Sequence, residues 1–217
     1  MKILMLADTE ESALWDDWSE ETASKLADIG LILSAGDLDA DYLEFLVTML
    51  NVPLVYVRGN HDGDYDRKPP EGCIDADGRV VEVNCDDAGG ARRLKILGLG
   101  GSMRYRDNAA DMYTEDEMRR RIAGVRGNAF RDLISGRISG SRDIDLLLTH
   151  APCRGYGDME DLPHNGFECF NDLIERHSPA VHCYGHVHRE YGDFRREILH
   201  PSGTRLVNAS GSYICEL

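Results

Sequence analysis

Five short apolar runs each stop at residues that can hold a metal ion. Ile3-Leu4-Met5-Leu6-Ala7 is followed by Asp8-Thr9-Glu10, and Leu31 to Ala35 by Gly36-Asp37. Leu54 to Arg58 leads into Gly59-Asn60-His61-Asp62, Leu146 to Thr149 into His150, and Ala180 to Tyr184 into Gly185-His186-Val187-His188. Carboxylate, amide oxygen and imidazole suit hard or borderline divalent cations: manganese, iron, zinc or nickel. The six cysteines, Cys73, Cys85, Cys153, Cys169, Cys183 and Cys215, form no C-x-x-C pair and offer no thiolate set. The ligand set is too large for one ion. Two ions about 3.5–4 Å apart, bridged by a carboxylate, would use it all, and such a pair activates water and clamps both oxygens of an in-line displacement at phosphorus.

The elements that must carry these residues follow from the same runs. Continuous rather than alternating apolar stretches read as strands buried on both faces. Val80 to Val83, Leu94 to Leu99, Arg205 to Asn208 and Tyr213 to Cys215 add further strands. Tyr42, Leu43, Phe45, Leu46, Met49 and Leu50 predict a helix capped by Asp39 or Asp41. Asn165 to His177 predicts another, with Asn165 and Glu168 as a capping box. Thr114 and Glu117 start a third, on which Glu115–Arg119, Asp116–Arg120 and Glu117–Arg121 fall four apart. Strands alternating with helices imply parallel crossovers in the first half, and the denser strands at the end imply an antiparallel continuation. In parallel sheets ligands gather beyond the carboxyl ends of the strands, so the five endings would share one cleft.

Asp8, Gly36-Asp37, Gly59-Asn60-His61-Asp62, Thr149-His150 and Gly185-His186-Val187-His188, in that order and spread over nearly the whole chain, resemble the calcineurin-like metallophosphoesterases. His150-Ala151-Pro152, Gly157-Asp158 and His164-Asn165-Gly166-Phe167 look like an uncharacterised prokaryotic branch of that family. The resemblance implies one α/β domain over residues 1–217, two packed mixed β-sheets flanked by helices. It implies that Asp8 and His188 hold a first metal, that Asp37 bridges, and that Asn60, His150 and His186 hold a second. His61 would protonate the leaving alkoxide or position the phosphate, with a metal-bridging hydroxide as nucleophile. The reaction implied is hydrolysis of a phosphomonoester or phosphodiester. Two rivals are a catalytically weak interaction scaffold of the same fold and a nuclease of the same metal type.

Two departures stand out. The family reads Asp-x-His at its first motif, and here Glu10 takes the histidine's place. Positions two apart on a strand face one side, so Glu10 can still ligate. A carboxylate there lowers the site's net positive charge and favours manganese or iron over zinc. The alternative is that Glu10 does not ligate and the first site is weak or empty. Ala40 stands where many members carry an Asp that orients the catalytic histidine, which leaves Asp39, Asp41 or Asp62 for that task.

The net charge of -15 repels nucleic-acid backbones and anionic membrane, so the expected partner is a small phosphorylated substrate or nucleotide, with a phosphoprotein as an alternative. No apolar stretch approaches a membrane span, no signal peptide is evident, and unpaired thiols fit a cytoplasmic protein. Within the arginine-rich stretch Gly101 to Arg142, Arg119, Arg120 and Arg121 are expected to pair along a helix and face water. Arg104 could reach a substrate phosphate or form a surface ion pair, and His164 could line the pocket or be solvated. Gly98-Leu99-Gly100-Gly101 reads as a tight turn rather than a dinucleotide fingerprint, and Trp15 and Trp18 as ordinary packing.

Overall fold

The structure, a computed structural model, describes residues 1–87, 90–107, 109–134, 144–192 and 194–217. The strands are β1 (Lys2–Ala7), β2 (Ile29–Ser34), β3 (Leu54–Tyr56), β4 (Ile74–Asp75), β5 (Arg79–Asp87), β6 (Gly90–Leu99) and β7 (Ser102–Met103). They continue with β8 (Met112–Tyr113), β9 (Leu146–Thr149), β10 (Val181–Tyr184), β11 (Glu197–Leu199), β12 (Arg205–Asn208) and β13 (Gly211–Glu216). The α-helices are α1 (Glu20–Lys25), α2 (Ala40–Leu50), α3 (Glu115–Ile134) and α4 (Glu168–His177).

Two mixed sheets stack face to face. One has the order β13-β1-β2-β3-β4 and the other β11-β12-β10-β9-β6-β5. The runs are continuous because each strand is covered on both sides. Ile3, Met5 and Ala7 of β1 join Leu146, Leu148, Val181 and Cys183 in the core between the sheets. Leu4 and Leu6 point the other way, into a cluster with Leu43 and Leu46 of α2. Leu147 and Leu206 pack outward with Met118 and Ile122 of α3 and Phe170 and Ile174 of α4. Burying one such large aliphatic side chain contributes about 1.5–3 kcal/mol, so each sheet is held from both faces.

The parallel core of each sheet sets where the chain ends its strands. β1, β2, β3 and β4 pair in parallel, as do β6, β9, β10 and β12. The expected antiparallel continuation is corrected at β12, which lies parallel to β10; β11 and β13 are the antiparallel partners at the end of the chain.

Helix starts differ from the sequence pattern in one case. Asp39 caps α2 by accepting the Asp41 N–H, and Thr114 and Glu117 form the reciprocal capping box of α3. The Asn165 capping box does not form. α4 begins at Glu168, and the N–H groups of Glu168 and Cys169 donate to the Glu115 carboxylate at 3.1 and 2.8 Å. A carboxylate from α3 thus supplies the cap and the favourable charge at the α4 N-terminus.

The arginine pairing is also corrected. Arg119 meets Glu115 at 3.1 Å as expected, but Arg120 donates to the Asp116 carbonyl. Arg121 turns inward to Asp77 at 2.6 Å and to the Gly100 carbonyl at 2.8 Å, over the Tyr113 ring. It clamps the glycine turn after β6, where Gly101 has φ +85°. Beyond Ile134 the arginine-rich stretch lies outside the described residues until 144. Trp15 and Trp18 pack on Tyr42 and Phe45 of α2, as ordinary packing requires.

Candidate metal centre

The chain turns sharply as it leaves β1, β2 and β10. Asp8, Asp37 and His186 have φ of 63°, 57° and 69°, in the left-handed region that non-glycine residues rarely adopt. Such a conformation costs about 1–3 kcal/mol and persists where the surroundings over-determine it. Here they do. Asp8 N–H donates to Gly36 O, both Asp8 carboxylate oxygens accept from the His186 N–H at 2.9 and 3.1 Å, and Gly185 N–H donates to His150 O. These bonds tie the ends of β1, β2, β9 and β10 to one another across the two sheets.

Asp62 performs the same office for β2 and β3. Its buried Oδ2 accepts from Asp37 N–H at 2.8 Å and Gly59 N–H at 2.7 Å. Burial pushes this carboxyl up to about 6, against the two N–H groups that stabilise its charge. The clamp explains the glycine of Gly59-Asn60-His61-Asp62. A Cβ on Gly59 would lie 2.0 Å from Asp37 Oδ1, inside any allowed contact.

The result is a buried cluster. One ligand atom from each of Asp37, His150 and His186 lies within 4.8 Å of the others. Asn60 Oδ1 stands 3.1 Å from His150 Nε2, and Asp37 Oδ2 3.4 Å from the same nitrogen. A carbonyl only accepts, so His150 Nδ1–H donates to Ala35 O at 2.8 Å and leaves Nε2 to face the two oxygens. His186 Nε2–H likewise donates to Pro163 O at 2.7 Å, which leaves Nδ1 as its acceptor. Fixing the tautomer through a backbone carbonyl is how proteins orient metal-ligating imidazoles.

The electrostatics fit a cation. Burial alone would drive His150 down, but Asp37 and then Asp8 hold its imidazolium up to about 9. Burial likewise pushes Asp37 up, yet the His150 charge, its hydrogen bond and the His61 N–H bring its carboxyl below the ordinary range. In the metal-free chain a proton on Nε2 therefore sits between two oxygens that a divalent ion would otherwise join. His186 is pushed the other way, to about 3, chiefly by burial and then by the His150 charge, so it is a neutral imidazole ready to ligate. Residues and group match: oxygen and imidazole donors, no thiolate.

The other predicted residues take up identifiable places. Asp8 is raised by burial and pulled back by the charges of His150 and His188. His188 stacks on Tyr191, with ring centroids 5.1 Å apart. Glu10 is exposed, and its Oε1 accepts the Asp39 N–H at 2.8 Å, at the start of α2. His61 donates its N–H to Asp37 Oδ1 at 2.8 Å, and the residue is exposed. His61, Asp37, Glu10 and Asp62 line one open cleft of about 420 Å³. His164 packs on His186 at 5.2 Å and is held by Asp161 at 2.6 Å. Arg104 has formed the ion pair: its guanidinium meets Glu117 at 2.8 and 3.1 Å and Met112 O at 3.0 Å.

Sequence reading passed over His182, which has no motif around it. In the structure it is fully buried, and Nε2–H donates to Thr149 Oγ1 at 2.7 Å while that hydroxyl donates to Ala151 O at 2.6 Å. The bonds brace the peptide on both sides of His150. Its only sequence signal is a polar residue on the α4-facing side of an apolar strand.

Residues 1–190 match the family described as calcineurin-like phosphoesterase. The chain belongs to that family, whose members hydrolyse phosphoesters with divalent metal ions. Among curated proteins it is 34% identical over 68 residues to UPF0046 protein K07C11.7 of Caenorhabditis elegans, covering 31% of this chain and 22% of that protein. It is 41% identical over 54 residues to UPF0046 protein T07D4.2 of the same organism, covering 23% of this chain and 13% of that one. The chain thus matches well under half the length of these relatives. The crystal structure of TT1561 of Thermus thermophilus superposes with a TM-score of 0.60 at 15% identity, over 97% of this chain and 89% of that one. Another solved crystal structure gives 0.61 at 13% identity, over 97% and 90%, and at these identities both likenesses speak for the fold alone.

Proposed function

We propose that the chain hydrolyses a small phosphorylated molecule or nucleotide, as a phosphomonoester or phosphodiester, at a pair of divalent cations. The supporting observation is the shared carboxylate. Asp37 gives one oxygen to the His61 N–H and turns the other to His150, beside His186. Asp37 would bridge the two cations beside His61, which is exposed. Asn60, His150 and His186 would hold one cation with Asp37, and Asp8 and His188, with Glu10 as a further ligand, the other. Divalent ions there would polarise the phosphoryl group and activate water for in-line attack. Manganese or iron suits a site with Glu10 in it, with zinc or nickel as alternatives. His61 lines the cleft, where its imidazole would hand a proton to a leaving oxygen.

A phosphoprotein is the alternative substrate, and the charge of -15 argues against nucleic acid. Among the described residues no helix is long and apolar enough to cross a membrane. Cysteines without disulfides among the described residues support a cytoplasmic setting.

The test is hydrolysis of p-nitrophenyl phosphate and bis-p-nitrophenyl phosphate with added manganese. His61→Ala should lower kcat by about 10²–10⁴-fold with metal content unchanged. No turnover with any divalent metal would leave the scaffold reading standing.

A further inference from the structure

A cavity lies beside the candidate metal centre, and neither the family's ligand pattern nor the cleft at His61 accounts for it. It measures about 730 Å³, within the span of small-molecule pockets, which run to roughly 300–1,000 Å³. Two of its lining residues adjoin the candidate ligands. Val187 lines it from between His186 and His188. Tyr191 lines it with a ring packed on His188 at 5.1 Å and on His164 at 4.9 Å, and remains 38% exposed.

The far wall is a built loop. Asp158 accepts from Gly155 N–H at 2.9 Å and Gly166 N–H at 3.1 Å, and Asn171 Nδ2 donates to the Arg154 carbonyl at 2.9 Å. Asp161 is taken by His164. Two of the three acids in the cavity thus serve the protein. Arg154 Nε lies 3.7 Å from Asp158 and Arg196 lies over the Phe194 ring at 4.9 Å, so the lining groups left for a ligand are the Arg195 guanidinium, the Glu160 carboxylate and the Tyr191 ring.

An aromatic ring with a donor and an acceptor beside it does not suit a bare anion, an aliphatic chain or a protein surface. It suits a flat heterocycle with hydrogen-bonding edges. Resting on the phosphoesterase reading above, we propose that this cavity receives the nucleoside of a nucleotide whose phosphate occupies the metal centre. The base stacks on Tyr191, and Arg195 and Glu160 meet its edge.

The full-length, manganese-loaded protein tests this with nucleoside 5′-monophosphates, ribose 5-phosphate and p-nitrophenyl phosphate as substrates. Stacking of one base predicts a kcat/KM for the best nucleotide about tenfold or more above ribose 5-phosphate. Tyr191→Ala should collapse that ratio to about threefold or less, and Tyr191→Phe should keep it, whatever happens to the absolute rates. Calorimetry with the nucleotide and metal-loaded protein separates the two readings. Hydrolysis of p-nitrophenyl phosphate with no preference for nucleotide over ribose 5-phosphate, or with a preference that survives Tyr191→Ala, overturns the cavity assignment alone. Tyr191-dependent nucleotide binding without turnover of any ester keeps the cavity and removes the hydrolysis. Neither binding nor turnover overturns both.

Discussion

At the scale of single residues, Gly59 and Glu10 make opposite points. Gly59 is needed because a Cβ 2.0 Å from Asp37 Oδ1 would push the shared carboxylate away from His150. Gly59→Ala should therefore lower the metal retained after dialysis, measured by elemental analysis, more than it lowers the melting temperature of the metal-free protein. Glu10 already has a partner in the Asp39 N–H. If it also ligates, Glu10→His should shift metal preference from manganese or iron toward zinc. Unchanged metal content and selectivity would assign Glu10 to the loop alone. Among the candidates to orient His61, Asp39 caps α2 and Asp62 accepts from Asp37 and Gly59, so both carboxylates have duties in the backbone.

At the scale of elements, the loops after β2 and β3 are joined through Asp62, and His150 is braced from β10 through Thr149. Removing a buried acceptor leaves N–H groups unpaired, at about 1–3 kcal/mol each. Asp62→Ala strands two of them and should cost about 2–6 kcal/mol in denaturant unfolding of the metal-free protein, with Asp62→Asn restoring part of the loss. A loss below about 0.5 kcal/mol, the size of an ordinary surface change, would show that the two loops hold together without it. The same clamp explains why the helix and strand periods in the sequence say nothing of it: a hydrogen bond between loops leaves no periodic trace.

At the scale of the whole molecule, the metal centre is a store of opposed charge. His150 is held up to about 9 in the folded chain against an ordinary 6.5, so its contribution to stability is complete below 6.5 and is lost as pH rises through 9. The metal-free protein should thus melt at progressively lower temperature between those pH values. If His150 is a ligand, a bound metal would take it as a neutral imidazole and displace the proton, and that alkaline decline should vanish. Melting curves in chelator and in manganese across this range check it; parallel curves would show that His150 is not a ligand.

Much of this was present in the chain before it folded. The five polar endings, the continuous apolar runs and the caps of α2 and α3 are local patterns, set by side-chain period and turn chemistry, and they were legible as such. The sequence also marked which residues could ligate, because few loops need His, Asn and Asp together after buried strands. Tertiary structure decided what no local pattern encodes: the parallel partner of β12, the Glu115 cap on α4, the inward turn of Arg121 and the buried His182. Each depends on which distant segment supplies the partner for a buried polar group, and that is settled only when the two sheets stack.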